Sequence, residues 1–497
     1  MKRLSVLLQF VLLVCLPLHS SAQSTPQQAE KFTPAQLRED FTLFRQALEE
    51  AHPGLYRYTS KEVFDAKFDS TYATFNRSMT EQDFYTSVKP LVTLIRCGHT
   101  KFMPKGEPGG DYNYWYHTDQ LFPLKLYVTA GKAHILYHYA DGAVAPAGAE
   151  LLAINGKSFQ EIQQKLLPNL SFADGLVQTT KYMDMSQYFS GHYAAFVDAA
   201  PVYTVTYRGG DGEAVTADYP AVSLETIKAS EQKKAEGKAE QPPYRLSFSE
   251  DNVAVLEIDW FMNSKKLKFK KFMTDAFKTI KERNPKALII DVRNNEGGMD
   301  GLGMLLSSYL ADKPYQYFSR VVSNSDKKFS FSDKAHEPWY YWYFRSRMKK
   351  NNRGTFDVQP AKYLRELTPQ RDAYTGDVYI LTNGWSFSVT GEFAAVVHNM
   401  GRAIFVGQET GGAYQGDNSG YFSFLPLPNT KVVLGIPLWS YYTAVSNEPV
   451  KDRGVIPHHI VESTVQDVLN GTDREMTYTQ ELIRKKAAST QAIRNQQ

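Results

Sequence analysis

Apolar residues recur at helical spacing in three segments near the start of the chain. Residues 33–58 (TPAQLREDFTLFRQALEEAHPGLYRY) repeat them every three or four positions and meet a helix breaker at His52-Pro53-Gly54. Residues 60–75 and 79–95 continue the pattern, and Thr80 precedes the last run as an N-cap residue. This periodicity is typical of amphipathic helices. We therefore expect a helical N-terminal domain over residues 23–118.

The pattern changes to short β-rich runs between residues 119 and 225. These runs are LKLYVTA (124–130), AHILYHY (133–139) and YTVTYRG (203–209). Between them lies APAGAELLAINGKSFQEIQQKL (145–166), whose strand, turn and short helix resemble a PDZ domain. A generic β-turn-β unit followed by a helix is the alternative interpretation.

Alternating strand and helix patterns fill the region from residue 244 to residue 470. Buried-strand runs such as KALIIDV (286–292) and DVYILTN (377–383) alternate with amphipathic helices such as LKFKKFMTDAFKTIKERN (267–284). This order predicts an α/β core, in a multidomain α+β chain. The Lys/Glu/Ala-rich residues 226–243 before it predict a charged linker, and the polar residues 471–497 predict a C-terminal tail with a fraying helix.

The first 22 residues have the pattern of a signal peptide. A basic start is followed by a short apolar run and by Ser20 and Ala22 at the positions that signal peptidase reads. We therefore expect export to the periplasm or the extracellular space, with no transmembrane segment after removal of the signal. Lipid anchoring is the less favoured alternative, because Leu-Leu-Val before Cys15 is a poor lipoprotein signal.

Composition restricts the possible functions only slightly. The chain has 497 residues and a formal net charge of +3, and it has no basic block that would indicate nucleic-acid binding. Without the signal, Cys97 is the only cysteine, so an internal disulfide is excluded. Adjacent His458 and His459 would point to opposite faces of a strand, and His336-Glu337 has no HExxH partner. We expect no metal and no cofactor.

Three short segments carry residues suited to acyl transfer. Ser388 lies where a strand passes into a helix, so the Val389 N–H and the helix dipole would face its oxygen, although Ser386 and Ser388 also suit simple capping. Gly297 and Gly298 end a second strand in a turn whose N–H groups could stabilise an oxyanion. A serine nucleophile needs a base, and His99 in RCGHTKF has the most distinctive setting among the histidines.

Together these segments resemble the tail-specific, or carboxyl-terminal processing, serine peptidases, in the branch that shares its core with tricorn protease. LIIDVRNNEGG is similar to the family's DLRxNxGG turn, SFSVTGEF to its TFSxxEEF motif, and RGVIPHHIVESTVQDVLNG to its closing GVxPD segment. The resemblance implies a ClpP/crotonase-like core with Ser388 as the nucleophile. It also implies an oxyanion hole made by Val389 and Gly297 or Gly298.

One departure from the family pattern concerns the base. Members with a Ser–Lys dyad carry lysine where Ala413 stands here, and no lysine lies between Ser388 and Lys431. The resemblance therefore points to His99 as the base. It places the acid just before GVxP, where Asp452 is preferred and Glu448 is the alternative.

These observations predict an exported serine endopeptidase that acts on peptides or proteins through an acyl-enzyme. The alternative is a non-catalytic protein that binds a hydrophobic ligand or a peptide on the same fold, as in the retinoid-binding protein of the eye. A thiol site made by Cys97 and His99 is disfavoured, because their i, i+2 spacing seldom aligns sulfur with imidazole. The oligomeric state is left open.

Overall fold

The computed structural model describes residues 30–104, 118–140, 145–210, 212–237, 239, 241–358, 361–446 and 449–494. The expected signal peptide, residues 1–22, lies outside these ranges. The helices are α1 (Pro34–Ala51), α2 (Lys61–Thr74), α3 (Glu81–Leu94), α4 (Phe159–Leu166), α5 (Thr179–Phe196), α6 (Leu224–Ala235), α7 (Phe269–Arg283), α8 (Asp300–Ser308), α9 (Tyr341–Arg345), α10 (Ala361–Leu364), α11 (Val389–Asn399), α12 (Val465–Asn470) and α13 (Arg474–Arg494). Within the described ranges, no helix combines the length and the apolar character that crossing a bilayer requires.

Within the described residues, the strands form four sheets. They are β1 (Lys31–Phe32), β2 (Met79–Thr80), β3 (Lys101–Met103), β4 (Leu124–Thr129), β5 (Lys132–His138), β6 (Glu150–Ile154), β7 (Lys157–Ser158), β8 (Val202–Arg208), β9 (Ala214–Pro220), β10 (Tyr244–Phe248), β11 (Val253–Ile258), β12 (Ala287–Asp291), β13 (Phe318–Ser323), β14 (Lys349–Lys350), β15 (Phe356–Asp357), β16 (Asp377–Thr382), β17 (Ile404–Gly407), β18 (Asn418–Pro426), β19 (Val433–Thr443) and β20 (His459–Ile460). Strands β1 and β2 pair with each other as a small separate sheet. The chain is thus the expected mixture of helices and several sheets.

A largely parallel sheet carries the two turns that the sequence singles out. Its order is β10-β11-β12-β16-β17-β20, and only β10 runs antiparallel to its neighbour. The runs ALIID and VYILT are almost continuously apolar because helices cover both faces of this sheet. Strands β12 and β16 are neighbours, with Asp291 paired to Leu381. The turns at their carboxyl ends, one with the glycines and one with Ser388, therefore meet at one edge of the sheet.

A second sheet joins the N-terminal helices to the C-terminal half of the chain. Its order is β14-β15-β13-β19-β18, and β3 pairs with the end of β19, where Lys101 faces Gly435. Side chains of α1 to α3, such as Phe41 and Phe44, share one hydrophobic core with Leu434 and Trp439 of β19. The expected boundary at residue 118 thus separates segments that bury their apolar faces against each other.

The β-rich segment forms its own antiparallel sheet. Its order is β4-β5-β6-β8-β9, with β7 beside β6, and α4 and α5 pack on it in a separate core. The expected linker 226–243 is largely helical instead, because Ser223 caps α6 and Ile227 is buried against Leu121 and Val222. One buried side chain and a helix cap therefore order a segment whose other residues are mostly exposed.

The C-terminal tail is also more ordered than its polar composition predicts. Helix α13 places Ile483 against Tyr379 and Val406 of the parallel sheet. Its first residues are held by Arg293, which bonds Asp473 at 2.8 and 2.7 Å and Glu475 at 3.2 Å. The tail therefore covers one face of the sheet.

Candidate active site

Ser388 lies at the turn between β16 and α11 in an unusual backbone conformation. It is the N-cap of α11, with φ of 56° and ψ of −129°. Non-glycine residues rarely adopt a positive φ, and such strain is concentrated at functional sites. Ser386 has a different role, because its buried hydroxyl donates to the Val292 carbonyl at 2.9 Å and accepts from the Asn383 N–H at 3.1 Å. The two serines of this turn are thus distinguished: Ser386 supports the loop, and the hydroxyl of Ser388 lies against His99.

His99 reaches Ser388 from the loop between α3 and β3. Its Nε2 lies 3.0 Å from the Ser388 Oγ, although 289 residues separate the two in sequence. The ring packs on Phe387, with the ring centroids 4.6 Å apart. Burial, and secondarily the positive charge of Lys101, lowers the pKa of His99 to about 3. The imidazole is therefore neutral at neutral pH and able to accept a proton.

The carboxylate nearest to the other ring nitrogen belongs to Asp417. Its Oδ2 lies 3.7 Å from the His99 Nδ1, and its Oδ1 accepts from the Ser419 hydroxyl at 2.8 Å. Burial raises the pKa of Asp417 to about 6, and the nearby charge of Arg57 opposes this rise.

The structure therefore places a different carboxylate at His99 from the one that the sequence favours. Asp452 lies in a turn with φ of 60°, and its backbone carbonyl accepts from the Leu176 N–H at 2.7 Å. The alternative acid, Glu448, lies outside the described residues. Asp417 directly precedes β18, and only the pairing of β18 and β3 with β19 reveals that it meets His99.

The glycine turn lies directly beside Ser388. A Cβ on Gly297 would lie 2.7 Å from the Ser388 Cβ and 2.9 Å from the Val389 nitrogen, so only glycine fits there, with φ of 104°. The Gly297 N–H already donates to the Asn295 side chain at 2.9 Å. Within the described part of the chain, the N–H groups of Val389 and Gly298 have no acceptor. These two amides, rather than that of Gly297, are the available donors.

Two further carboxylates, those of Asp174 and Glu392, are buried and interact electrostatically with Asp417. Asp174 accepts from the Gly98 N–H at 2.9 Å and so holds the residue before His99. Burial and the charge of Asp417 raise the pKa of Asp174 to about 7, and burial also raises the pKa of Glu392 well above its ordinary value. The sequence patterns assigned no role to either residue: Asp174 comes from the region assigned to the β-rich domain, and Glu392 lies within the SFSVTGEF motif.

Cys97 does not have the properties of a reactive thiol. It is fully buried, its sulfur lies 3.7 Å from the Asn418 carbonyl, and burial raises its pKa to about 12. Among the described residues, Cys97, His99 and Asp174 form the one group with metal-ligand atoms within 4.8 Å of one another. A metal there would need the thiolate, which this burial disfavours.

Comparison with known proteins supports the family indicated by the motifs. Residues 252–461 match the model of peptidase family S41. No curated protein matches the chain. The structure is similar to a crystal structure of a CPAF mutant, with a TM-score of 0.63 and 13% sequence identity over 90% of this chain and 96% of that one.

It is also similar to mature CPAF complexed with lactacystin, with a TM-score of 0.60 and 14% identity over 93% of this chain and 99% of that one. At such low identity these likenesses show a shared fold. The resemblance to tail-specific peptidases is confirmed by the family match, and the chain is a serine-type peptidase with a family S41 domain at residues 252–461.

Proposed function

We propose that this protein is an exported endopeptidase that cleaves peptide bonds through an acyl-enzyme on Ser388, with His99 as the base. The observation that carries the proposal is the 3.0 Å contact between the His99 Nε2 and the Ser388 Oγ. This distance is within reach for direct proton transfer. The strained conformation of Ser388 at the start of a helix gives the hydroxyl the position that a nucleophile needs.

The proposed reaction has two halves. The Ser388 oxygen attacks the peptide carbonyl carbon while His99 takes the hydroxyl proton. The carbonyl oxygen becomes an oxyanion held by the N–H groups of Val389 and Gly298, and each such donor contributes about 3 kcal/mol. His99 then protonates the leaving amine as the C–N bond breaks. Water attacks the ester with His99 again as the base, which releases the acid and restores Ser388.

We assign the acidic role to Asp417, with Asp452 and Glu448 as the alternatives. An ionised Asp417 stabilises the imidazolium that forms when His99 takes the proton. Its 3.7 Å separation from the Nδ1 exceeds hydrogen-bond length. A small closure of the site on substrate would make the bond, since catalytic contacts are often long in the free enzyme.

The PDZ-like region, residues 119–225, is proposed to align the substrate chain with the cleft. Its Thr180 hydroxyl donates to the Gly384 carbonyl in the nucleophile loop at 2.7 Å. Thr179 also donates to the Glu409 carbonyl at 3.0 Å. A peptide bound on this region would thus act on the turn that carries Ser388.

Activity-based labelling tests the proposal. A fluorophosphonate probe should label the wild-type protein and should fail to label Ser388→Ala and His99→Ala, whereas Ser70→Ala, which removes an exposed hydroxyl of α2, is the control and should retain labelling. Lactacystin, with which mature CPAF is complexed in one structure, provides a second probe. Absence of labelling in folded wild-type protein would favour the non-catalytic binder. Cell fractionation with and without residues 1–22 tests export separately.

A further inference from the structure

An exposed aromatic turn lies outside the catalytic site. Trp339 is 82% exposed and Trp342 is 61% exposed, and Tyr343 beside them is also exposed. Trp339 lies in the turn directly before α9, and Trp342 and Tyr343 lie within α9, so the three exposed rings occur within five residues on the outer side of this turn. The opposite face is buried, with Tyr341 hydrogen-bonded to Trp439 at 3.1 Å. The outward rings are therefore held on a rigid base.

Positive charge follows the aromatic turn directly. Residues 338–356 contain five Lys or Arg and no Asp or Glu. Arg347, Lys349 and Lys350 are exposed, and the Arg347 guanidinium lies over the Tyr343 ring at 3.9 Å. Of the two acids that flank this segment, Glu337 accepts from Arg345 at 2.8 Å, and Asp357 accepts from Asn351 at 2.8 Å and lies opposite Lys349 in the pairing of β14 with β15. The segment therefore keeps an excess of positive charge. We call Trp339, Trp342, Tyr343, Arg347, Lys349 and Lys350 the aromatic–basic surface.

We propose that the aromatic–basic surface binds the headgroup region of an anionic lipid bilayer. Trp and Tyr rings partition into the interface between headgroups and acyl chains, and adjacent Lys and Arg side chains attract anionic lipids. Charge complementarity favours this partner over a second copy of the chain. A two-fold contact through this face would bring the same cations of both copies together, which like-charge repulsion opposes.

The surface is connected to the catalytic site through one strand. Tyr340 and Tyr341 contact Tyr421 of β18, with ring centroids 5.9 and 5.6 Å apart. The next residue, Phe422, packs toward His99 at 6.4 Å. Binding through this surface would therefore hold the site close to the bilayer, although lipid binding does not depend on the proposed chemistry.

Vesicle co-sedimentation of the full chain tests the proposal. Wild-type protein should bind vesicles of equal parts phosphatidylglycerol and phosphatidylcholine, should bind pure phosphatidylcholine weakly, and should be released by high salt. Each lysine near an anionic surface raises partitioning about fivefold, so Lys349→Gln with Lys350→Gln should weaken binding about thirtyfold. Trp339→Ala with Trp342→Ala should also weaken binding at least about tenfold. Both double variants should keep the wild-type circular dichroism and probe labelling.

Matched controls distinguish binding through this surface from non-specific adsorption of the protein to vesicles. Trp260 is 47% exposed, and Lys265 and Lys266 are adjacent exposed lysines. Trp260→Ala, or Lys265→Gln with Lys266→Gln, should leave vesicle binding unchanged. The proposal is overturned if wild type does not bind anionic vesicles, or if the surface variants bind as wild type does. It is also overturned if Trp339→Ala with Trp342→Ala converts a dimer into a monomer, because a second copy would then cover the rings.

Discussion

Replacement of Asp417 by Asn tests the least expected part of the site. At neutral pH the carboxylate would be ionised, since its pKa is about 6, and it faces the imidazolium at 3.7 Å. With an effective dielectric constant of about 20, two unit charges at this separation attract by about 4 kcal/mol. Asparagine removes that attraction and keeps the size of the side chain. We therefore expect kcat at pH 8 to fall about 10³-fold.

The pH dependence distinguishes this role from a structural one. The carboxylate supports the imidazolium only when ionised, so its contribution is present above pH 6 and is lost as the pH falls through about 6. The ratio of the wild-type rate to the Asp417→Asn rate should therefore fall about tenfold between pH 8 and pH 5, as the ionised fraction of Asp417 falls. Both should be measured as kcat and KM on a quenched fluorescent peptide, with KM nearly unchanged. Asp452→Asn is the matched control and should remain within about threefold of wild type.

Two results would refute this reasoning. If Asp417→Asn kept wild-type kcat at pH 8 while Asp452→Asn lost it, the acid would be the residue that the sequence favours. If Asp417→Asn lost activity equally at every pH from 5 to 8, its effect would be structural. A thermal melt of each variant shows whether the fold has been retained.

The remaining predictions concern the histidine, the glycine turn, the nucleophile and the buried acid. Lys101→Met should raise the pKa of His99, seen as a shift of its NMR titration to higher pH, because the lysine charge helps to lower that pKa. Gly297→Ala should abolish labelling and cost about 2 kcal/mol of stability, because its Cβ would clash with Ser388, whereas Gly301→Ala, which has open space, should do neither. The free energy of unfolding of Ser388→Gly should exceed that of Ser388→Ala by about 1 kcal/mol in chemical denaturation, because glycine tolerates φ of 56°. Asp417→Asn should also increase the free energy of unfolding at pH 8.

The stabilisation expected for Asp417→Asn follows from the difference between the folded-state and unfolded-state pKa of Asp417. The folded-state pKa of Asp417 is raised from 3.8 to about 6, so its protonated form favours folding below pH 3.8 and that stability is lost as the pH rises through 6. Asparagine cannot ionise, so it avoids a penalty of about 3 kcal/mol, an upper bound at about 1.4 kcal/mol for each pH unit. Chemical denaturation of both proteins at pH 8 measures the difference. An Asp417→Asn variant that is less stable than the wild-type protein at pH 8 would contradict this reasoning.

Local patterns were sufficient to predict the elements and the nucleophile turn. The run DVYILTN and the following serines predict a strand, a turn and a helix, and the structure has β16, Ser388 and α11 there. The contact of His99 with Ser388 required a family resemblance, because the pairing of β3 with β19 leaves no periodic signal in either segment. Asp417 was not predicted because its role depends on that same pairing, and the family pattern pointed to a different part of the chain.

Strand β19 is the element on which the meeting of His99 and Asp417 depends. It pairs on one side with β3, where Lys101 faces Gly435, and on the other with β18, where Asn418 faces Ser440. His99 and Asp417 lie just outside these paired segments, so the register of two separate pairings fixes how the imidazole meets the carboxylate. A one-residue slip in either pairing would reverse which face each side chain occupies. The shared core between α1 to α3 and β19 is therefore part of the catalytic apparatus, because it holds the strand that brings the base to the nucleophile.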